Sequence, residues 1–164
     1  SFYLAWQMKG STADTVNIIS KFTPARALNH AALLTDYYAS RLSGKPYMHA
    51  MPDSISFEPT TDCNLRCPEC PSGLRSFTRP TGMLDPQLFK STINQLSKTL
   101  SYLTFYFQGE SYLHTQFLDM VAYAKAKGIY TATSTNAHFL TDDLAHKTIA
   151  SGLDRIIISI DGTA

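Results

Sequence analysis

The 164-residue chain is long enough to bury one ordinary hydrophobic core or to form part of a larger domain. Its hydrophobic fraction of 44% and charged fraction of 16% are those of a folded globular protein and exclude intrinsic disorder. A net charge of +1 gives no electrostatic reason to expect nucleic acid or an anionic membrane as a partner. No apolar run approaches the ~20 residues that span a bilayer, and no signal peptide is recognisable, so a cytoplasmic location is expected.

The first fifty residues are predicted to be helical. A short helix is expected over residues 13–20, and a longer one begins with Thr23 as N-cap and ends at Gly44. Small and apolar side chains recur at helical spacing in the second helix and are expected to form its packing face: Ala27, Ala31, Leu34 and Tyr38. Nothing here suggests chemistry, so residues 1–50 are predicted to be an N-terminal helical extension.

From residue 51 onward, strands and helices alternate. Strands are predicted over residues 54–57, 102–107, 130–135 and 155–160. The intervening helices have clear boundary signals, namely Asp85 before Pro86, Gly128 after the second helix, and Thr141 and Gly152 around the third. This alternation predicts an α/β fold with a parallel sheet.

The fourth predicted strand lies four residues from the end of the chain, whereas a closed barrel needs more strands. Residues 51–164 are therefore expected to be the N-terminal part of a longer (β/α) barrel. An exposed last strand is an association hazard, so such a fragment is expected to be able to pair with another copy.

The three cysteines of the chain, Cys63, Cys67 and Cys70, lie within eight residues. An odd number of cysteines in one loop favours metal binding over a disulfide framework. Structural zinc normally has four ligands, and no second cysteine pair exists; zinc with one distant histidine, and three inert thiols, stay open as alternatives. A four-iron cluster held by three cysteines would keep one iron open for an exchangeable ligand, which suits catalysis more than electron transfer.

Small polar residues follow the other three predicted strands. Gln108-Gly109-Glu110 follows the second, Ser134-Thr135-Asn136 ends the third, and Ser159 and Asp161 end the fourth. Ligands of parallel α/β folds lie at the carboxyl ends of the strands, so these residues and the cysteine loop are expected to share one rim. His114, close by, is expected to be exposed.

The spacing Cys63-x3-Cys67-x2-Cys70, within Thr61-Asp-Cys-Asn-Leu-Arg-Cys-Pro68, resembles the signature of the radical S-adenosylmethionine (SAM) superfamily. Two positions depart from common forms of the family: Glu69 replaces an aromatic residue, and Gln108 stands where a further glycine is frequent. The resemblance covers residues 54–164 and implies a partial six-unit (β/α) barrel with about four units present.

The resemblance also implies cofactors and roles. The three cysteines would ligate three irons of a [4Fe-4S] cluster, and SAM would chelate the fourth and be cleaved reductively to a 5′-deoxyadenosyl radical that abstracts hydrogen from a substrate. Gly109 and Glu110 match the motif that holds the methionine amino group. The remaining implied contacts to SAM are Ser134, Asn136, Ser159 and Asp161. An external electron donor and a small-molecule or peptide substrate are implied as partners, and a non-catalytic zinc module is the alternative.

Overall fold

The structure, a computed structural model, describes residues 12–160. Its centre is a sheet of four parallel strands in which each strand pairs with the next along the chain. The strands are β1 Ser54–Ser56, β2 Tyr102–Phe105, β3 Tyr130–Thr135 and β4 Arg155–Ile158. The predicted parallel α/β fold is confirmed; β3 has the predicted bounds, and the other three strands end one or two residues early.

Three helices connect and follow these strands: α4 Pro86–Leu96, α5 Phe117–Ala126 and α6 Asp142–Ser151. The predicted caps are confirmed. The Asp85 side chain accepts a hydrogen bond from the N–H of Gln87, and the Thr141 hydroxyl accepts one from that of Leu144. Gly152 ends α6 in the left-handed conformation, with φ of +77°.

The hydrophobic core lies between one face of the sheet and these helices. Leu103 and Phe105 of β2 are fully buried against Phe89 of α4 and Phe117 of α5. The helices contact one another in chain order, so they line the same face of the sheet. Parallel strands in sequential order with helices on one face form part of a (β/α) barrel, as predicted.

Two helices precede the sheet, α1 Thr12–Ser20 and α2 Pro24–Ser43, and both agree with the predicted segments. The predicted packing face of α2 is wrong, because Ala27, Ala31, Leu34 and Tyr38 are all exposed. The helix docks through polar side chains instead. Arg26, 3% exposed, is its one buried residue, and the guanidinium donates to the carbonyls of Ser97, Lys127 and Gly128, beyond the C-terminal ends of α4 and α5.

Helix α1 is fastened to the start of β3 and β4. Asp154 accepts hydrogen bonds from Lys125 Nζ at 2.5 Å, from Asn17 Nδ2 at 2.9 Å and from the Thr131 N–H at 3.0 Å. Burial alone would raise the pKa of Asp154, but these hydrogen bonds outweigh it and lower the pKa. Tyr130 also donates its hydroxyl to Asp14 of α1. The helices before the sheet therefore close its amino end, opposite the predicted site.

Among the helices within residues 12–160, none has the length and apolar character needed to cross a membrane.

Candidate active site

The cysteine loop connects β1 to a one-turn helix, α3 Pro71–Leu74, which the sequence did not indicate. The three cysteines are half-buried and free, while the residues on both sides of each one are exposed or only partly buried. The thiols therefore lie on the inner side of an otherwise exposed loop. Within residues 12–160, no set of three His, Cys, Asp or Glu side chains is arranged to hold one metal ion, so the ligand role of the cysteines stays a prediction.

The loop is held by close backbone packing. A side chain at Gly73 would place its Cβ 2.5 Å from both the nitrogen and the oxygen of Cys67, so α3 lies directly against the middle of the loop. The Arg75 guanidinium donates to the carbonyl of Cys63 at 2.9 Å. These contacts fix the path of the backbone while leaving the thiol groups free.

Gly109 brings the end of β2 onto the same loop. Its φ of +78° is in the left-handed region, and a Cβ there would lie 2.0 Å from the carbonyl oxygen of Thr60. Glycine at this position therefore allows the backbone of the loop to approach the end of β2 closely. The N–H of Glu110 then donates to the carbonyl of Asp62 at 2.7 Å, one residue before Cys63.

Glu110 is a buried carboxylate, 2% exposed, held at the carboxyl ends of β2 and β3. Oε1 accepts from Thr135 Oγ1 at 2.7 Å and from the Tyr112 N–H at 3.3 Å, and Oε2 accepts from the Asn136 N–H at 2.9 Å. A carboxylate has about four acceptor sites, so one remains on Oε2. That site can accept from an ammonium group of a ligand.

Asn136 contacts both the Glu110 carboxylate and the cysteine loop. Its backbone N–H donates to Glu110, and its side-chain Nδ2 lies 3.8 Å from Cys63 Sγ. The prediction that Glu110, Asn136 and the cysteine loop converge on one rim therefore agrees with the geometry.

Ser134 and Ser159 form a second group on the rim, their hydroxyl oxygens 3.4 Å apart at the ends of β3 and β4. Neither hydroxyl forms a hydrogen bond with the Glu110 carboxylate. Asp161, the remaining predicted residue, lies outside the described residues.

Sequence reasoning missed the contacts of three residues of this site and misjudged the burial of one. Thr135 binds the Glu110 carboxylate, while Ser72 and Gln108 bond to each other beside Cys70. Threonine at every second position of β3 was a signal for Thr135, because those side chains share one face. His114 is buried, not exposed, because its Nε2 donates to the carbonyl of Leu84 and its Nδ1 accepts the Gln116 N–H.

The donors present fit an iron–sulfur cluster better than a hard cation. The loop offers three thiols and no histidine, and thiolate is the ligand such clusters prefer. The nearby amides of Asn136 and Gln108 add hydrogen-bonding groups beside two of the sulfurs.

Comparison with protein families gives a match over residues 57–164 to the model described as the radical SAM superfamily. Relatives include a tungsten-containing aldehyde ferredoxin oxidoreductase cofactor-modifying protein of Pyrococcus furiosus, 32% identical over 65% of this chain and 30% of its own length. The mycofactocin maturase MftC of Mycolicibacterium smegmatis is 32% identical over 68% of this chain and 28% of its own length. The chain thus spans about a third of the length of the curated relatives it matches.

Among solved structures, the crystal structure of BtrN in complex with AdoMet and 2-DOIA aligns with a TM-score of 0.62 and 26% identity, over 71% of this chain and 49% of that chain. Radical SAM proteins use a [4Fe-4S] cluster and SAM, and these matches give no support to the alternative of a zinc-binding structural module. Because the family model covers most of the sequence, from the residue that follows β1 to the last residue, the chain belongs to the radical SAM superfamily.

Proposed function

We propose that this chain is part of a radical SAM enzyme, with Cys63, Cys67 and Cys70 ligating three irons of its cluster. Residues 51–164 would form the N-terminal part of its barrel, and residues 1–50 a helical extension. The observation that carries the proposal is the position of Asn136, which bonds to the buried Glu110 carboxylate and contacts Cys63 Sγ. A single residue, Asn136, thus contacts both the cysteine loop and the carboxylate that can accept from an ammonium group.

When bound, the cluster supplies one electron for reductive cleavage of SAM, which gives methionine and a 5′-deoxyadenosyl radical. The protein contributes binding, orientation and exclusion of water. Glu110 would accept a hydrogen bond from the amino group of the ligand through the free acceptor site on Oε2. Thr135 and the N–H of Asn136 hold that carboxylate in place, so it need not reorganise when the ligand binds.

Ser134 and Ser159 have the chemistry to hydrogen-bond the ribose or carboxylate of SAM. Each hydroxyl can donate and accept, and the pair lies at adjacent strand ends. We assign Asp161 to the same group on the resemblance of Ser-x-Asp-Gly alone. A substitution that removes Ser134 Oγ is expected to weaken nucleoside binding less than loss of Glu110, because neutral hydrogen bonds contribute less than charge-assisted ones.

The substrate would be a small molecule or a peptide, with an external electron donor. The relatives' names refer to a cofactor-modifying protein, a heme synthase and a maturase, which supports chemistry on complex biological molecules without selecting one. The flanks of the cysteine loop resemble those of members that modify peptides, so a peptide is the finer proposal.

The test is equilibrium binding of SAM to the anaerobically reconstituted chain. Glu110→Ala is expected to weaken binding at least tenfold, since a hydrogen bond to a charged group contributes about 1.5–3 kcal/mol. If the reconstituted chain holds about four irons but binds SAM no better than the cluster-free chain, the proposal is wrong.

A further inference from the structure

Two side-chain amides lie beside two of the three cysteine sulfurs. Asn136 Nδ2 is 3.8 Å from Cys63 Sγ, and Gln108 Oε1 is 3.5 Å from Cys70 Sγ. Both amides come from strand ends, Asn136 directly after β3 and Gln108 shortly after β2. Among the hydrogen bonds of the described residues, the Cys67 thiol has no corresponding amide contact.

The orientation of the Asn136 amide is fixed by a closed set of hydrogen bonds. The amide atom that accepts the backbone N–H of His138 at 3.0 Å must be the oxygen, Oδ1, because a nitrogen there would set two donors against each other. The atom near Cys63 is therefore the nitrogen, Nδ2. That nitrogen donates to Asn64 Oδ1 at 2.8 Å, and Asn64 Nδ2 in turn lies 3.1 Å from His138 Nδ1. Reversing either amide would place two donors or two acceptors together.

The direction of these bonds leaves one hydrogen of Asn136 for the sulfur. An amide nitrogen carries two hydrogens, and Asn64 takes one of them. The second is available to Cys63 Sγ. A thiolate accepts a hydrogen bond more strongly than a thiol, so deprotonation of Cys63 on ligation strengthens this contact.

Gln108 can supply the corresponding donor to Cys70 after rotation of its amide. In the structure, Oε1 accepts from the Ser72 hydroxyl at 3.0 Å and faces the Cys70 thiol. A thiolate at Cys70 would repel that oxygen, whereas a half-turn of the amide presents Nε2 to the sulfur. Ser72 Oγ accepts one bond, from the Gly109 N–H, so its second lone pair can accept from the rotated amide.

We propose that Asn136 and Gln108 donate hydrogen bonds to the cluster-ligating sulfurs of Cys63 and Cys70 and raise the reduction potential of the cluster. This inference rests on the proposed function, because it requires a cluster in the loop. Hydrogen bonds to the sulfurs are among the factors that set the potentials of iron–sulfur centres. A donor stabilises the more negative, reduced state, so its removal lowers the potential. Both residues are positioning residues, since they act through the cysteines.

The experiment compares the wild-type chain with Asn136→Leu and Gln108→Leu after anaerobic reconstitution, without SAM. The readouts are iron and sulfide content, the midpoint potential from an EPR-monitored titration, and the iron–cysteine stretching frequencies from resonance Raman spectroscopy. The matched control is Asn94→Leu, the same change at an exposed helix position that bonds to Tyr123. Asn136→Ala, which removes the donor with a smaller side chain, replaces Asn136→Leu if leucine prevents cluster assembly.

Every variant is expected to hold a full cluster. The Asn136 and Gln108 variants should have a more negative midpoint potential and higher iron–cysteine stretching frequencies. Asn94→Leu should change neither quantity. A full cluster with unchanged potential and frequencies in both variants overturns the inference and leaves the proposed function standing. If Asn136 only contacted SAM, its substitution would leave the potential and the frequencies unchanged, because SAM is absent from the experiment. No cluster in the wild-type chain overturns the proposed function itself.

Discussion

The Thr135 hydroxyl donates to Glu110 Oε1 at 2.7 Å, so the end of β3 holds the carboxylate that follows β2. Glu110 is buried, and a buried carboxylate needs hydrogen bonds to offset the loss of water. The bond from Thr135 and the two backbone N–H groups provide that compensation and leave the free side of Oε2 available for a ligand.

The carboxylate of Glu110 is expected to bind the SAM amino group by charge as well as by hydrogen bonding. Glu110→Gln keeps the size of the side chain but removes the charge, so the dissociation constant for SAM should rise about tenfold or more. Isothermal titration calorimetry of the reconstituted chain measures this. Glu69→Gln, the same change at an exposed position of the cysteine loop, is the control and should leave the affinity unchanged. Equal effects of the two changes would contradict the assigned role.

Gly109 is expected to tolerate no side chain. Gly109→Ala would meet the Thr60 carbonyl at 2.0 Å in a backbone conformation that costs an L-residue about 1–2 kcal/mol. The free energy of unfolding from urea denaturation should fall by at least about 2 kcal/mol. Gly82→Ala meets nothing within 4 Å and has no positive φ, so a change of no more than about 0.5 kcal/mol is expected there. A mild effect at Gly109 would mean that the loop is not packed on β2 as described.

Asp154 is expected to make stability depend on pH in the acid range. Its pKa is lowered in the folded state, so its contribution is present above the unfolded pKa near 4 and is lost as pH falls through the folded value. Asp154→Asn should lower the free energy of unfolding by about 3 kcal/mol at pH 7 and by less at pH 3. Urea denaturation at several pH values measures both.

The control for Asp154 is Asp143→Asn, which removes an exposed pair with Lys147 on α6. Such pairs contribute about 0.5 kcal/mol or less. A destabilisation by Asp154→Asn that is the same at pH 3 and pH 7 would contradict the assignment.

Arg26 is expected to fasten α2 to the barrel through its planar guanidinium. Nη1 donates to the carbonyls of Lys21 and Gly128, and Nη2 to those of Ser97 and Lys127. Lysine keeps the charge but cannot reach these acceptors together, so Arg26→Lys should cost about 2–3 kcal/mol of stability. Arg41→Lys, at an exposed position of the same helix, should cost almost nothing. Thermal unfolding of both variants distinguishes these outcomes, and equal midpoints would disprove the docking role.

Local signals predicted the longer helices well because their capping residues in the sequence match the caps in the fold. Thr23 and Asp85 cap their helices, Gly44 and Gly152 end theirs in the left-handed conformation, and β3 has its predicted length. Strand ends were overestimated because apolar residues such as Phe107 continue the pattern after pairing stops, and Phe107 is 79% exposed.

The packing face of α2 could not be predicted from a hydrophobic pattern. Its contacts with the rest of the fold include the buried Arg26 and the partly exposed His30, whose Nδ1 is 2.6 Å from Asp53 Oδ2. Apart from Lys21, the acceptors for Arg26 are backbone carbonyls about seventy and a hundred residues away in the chain. Nothing local in the sequence marks such acceptors. The exposed apolar residues of the helix therefore gave the wrong face.

For the candidate site, the spacing of the cysteines and the strand-end rule located the rim, but not the contacts within it. That Glu110 bonds to Thr135, and that Asn136 contacts Cys63, depends on the register between β2 and β3 and on the path of the loop. These are tertiary relationships between residues far apart in the chain.

The central claim is that the loop of Cys63, Cys67 and Cys70 holds a [4Fe-4S] cluster. The most direct measurement is iron and acid-labile sulfide content after anaerobic reconstitution, together with the EPR spectrum of the reduced protein. About four irons and four sulfides per chain are expected, and Cys67→Ala should lose them. Stoichiometric zinc without iron, or an iron content unchanged by Cys67→Ala, would contradict it.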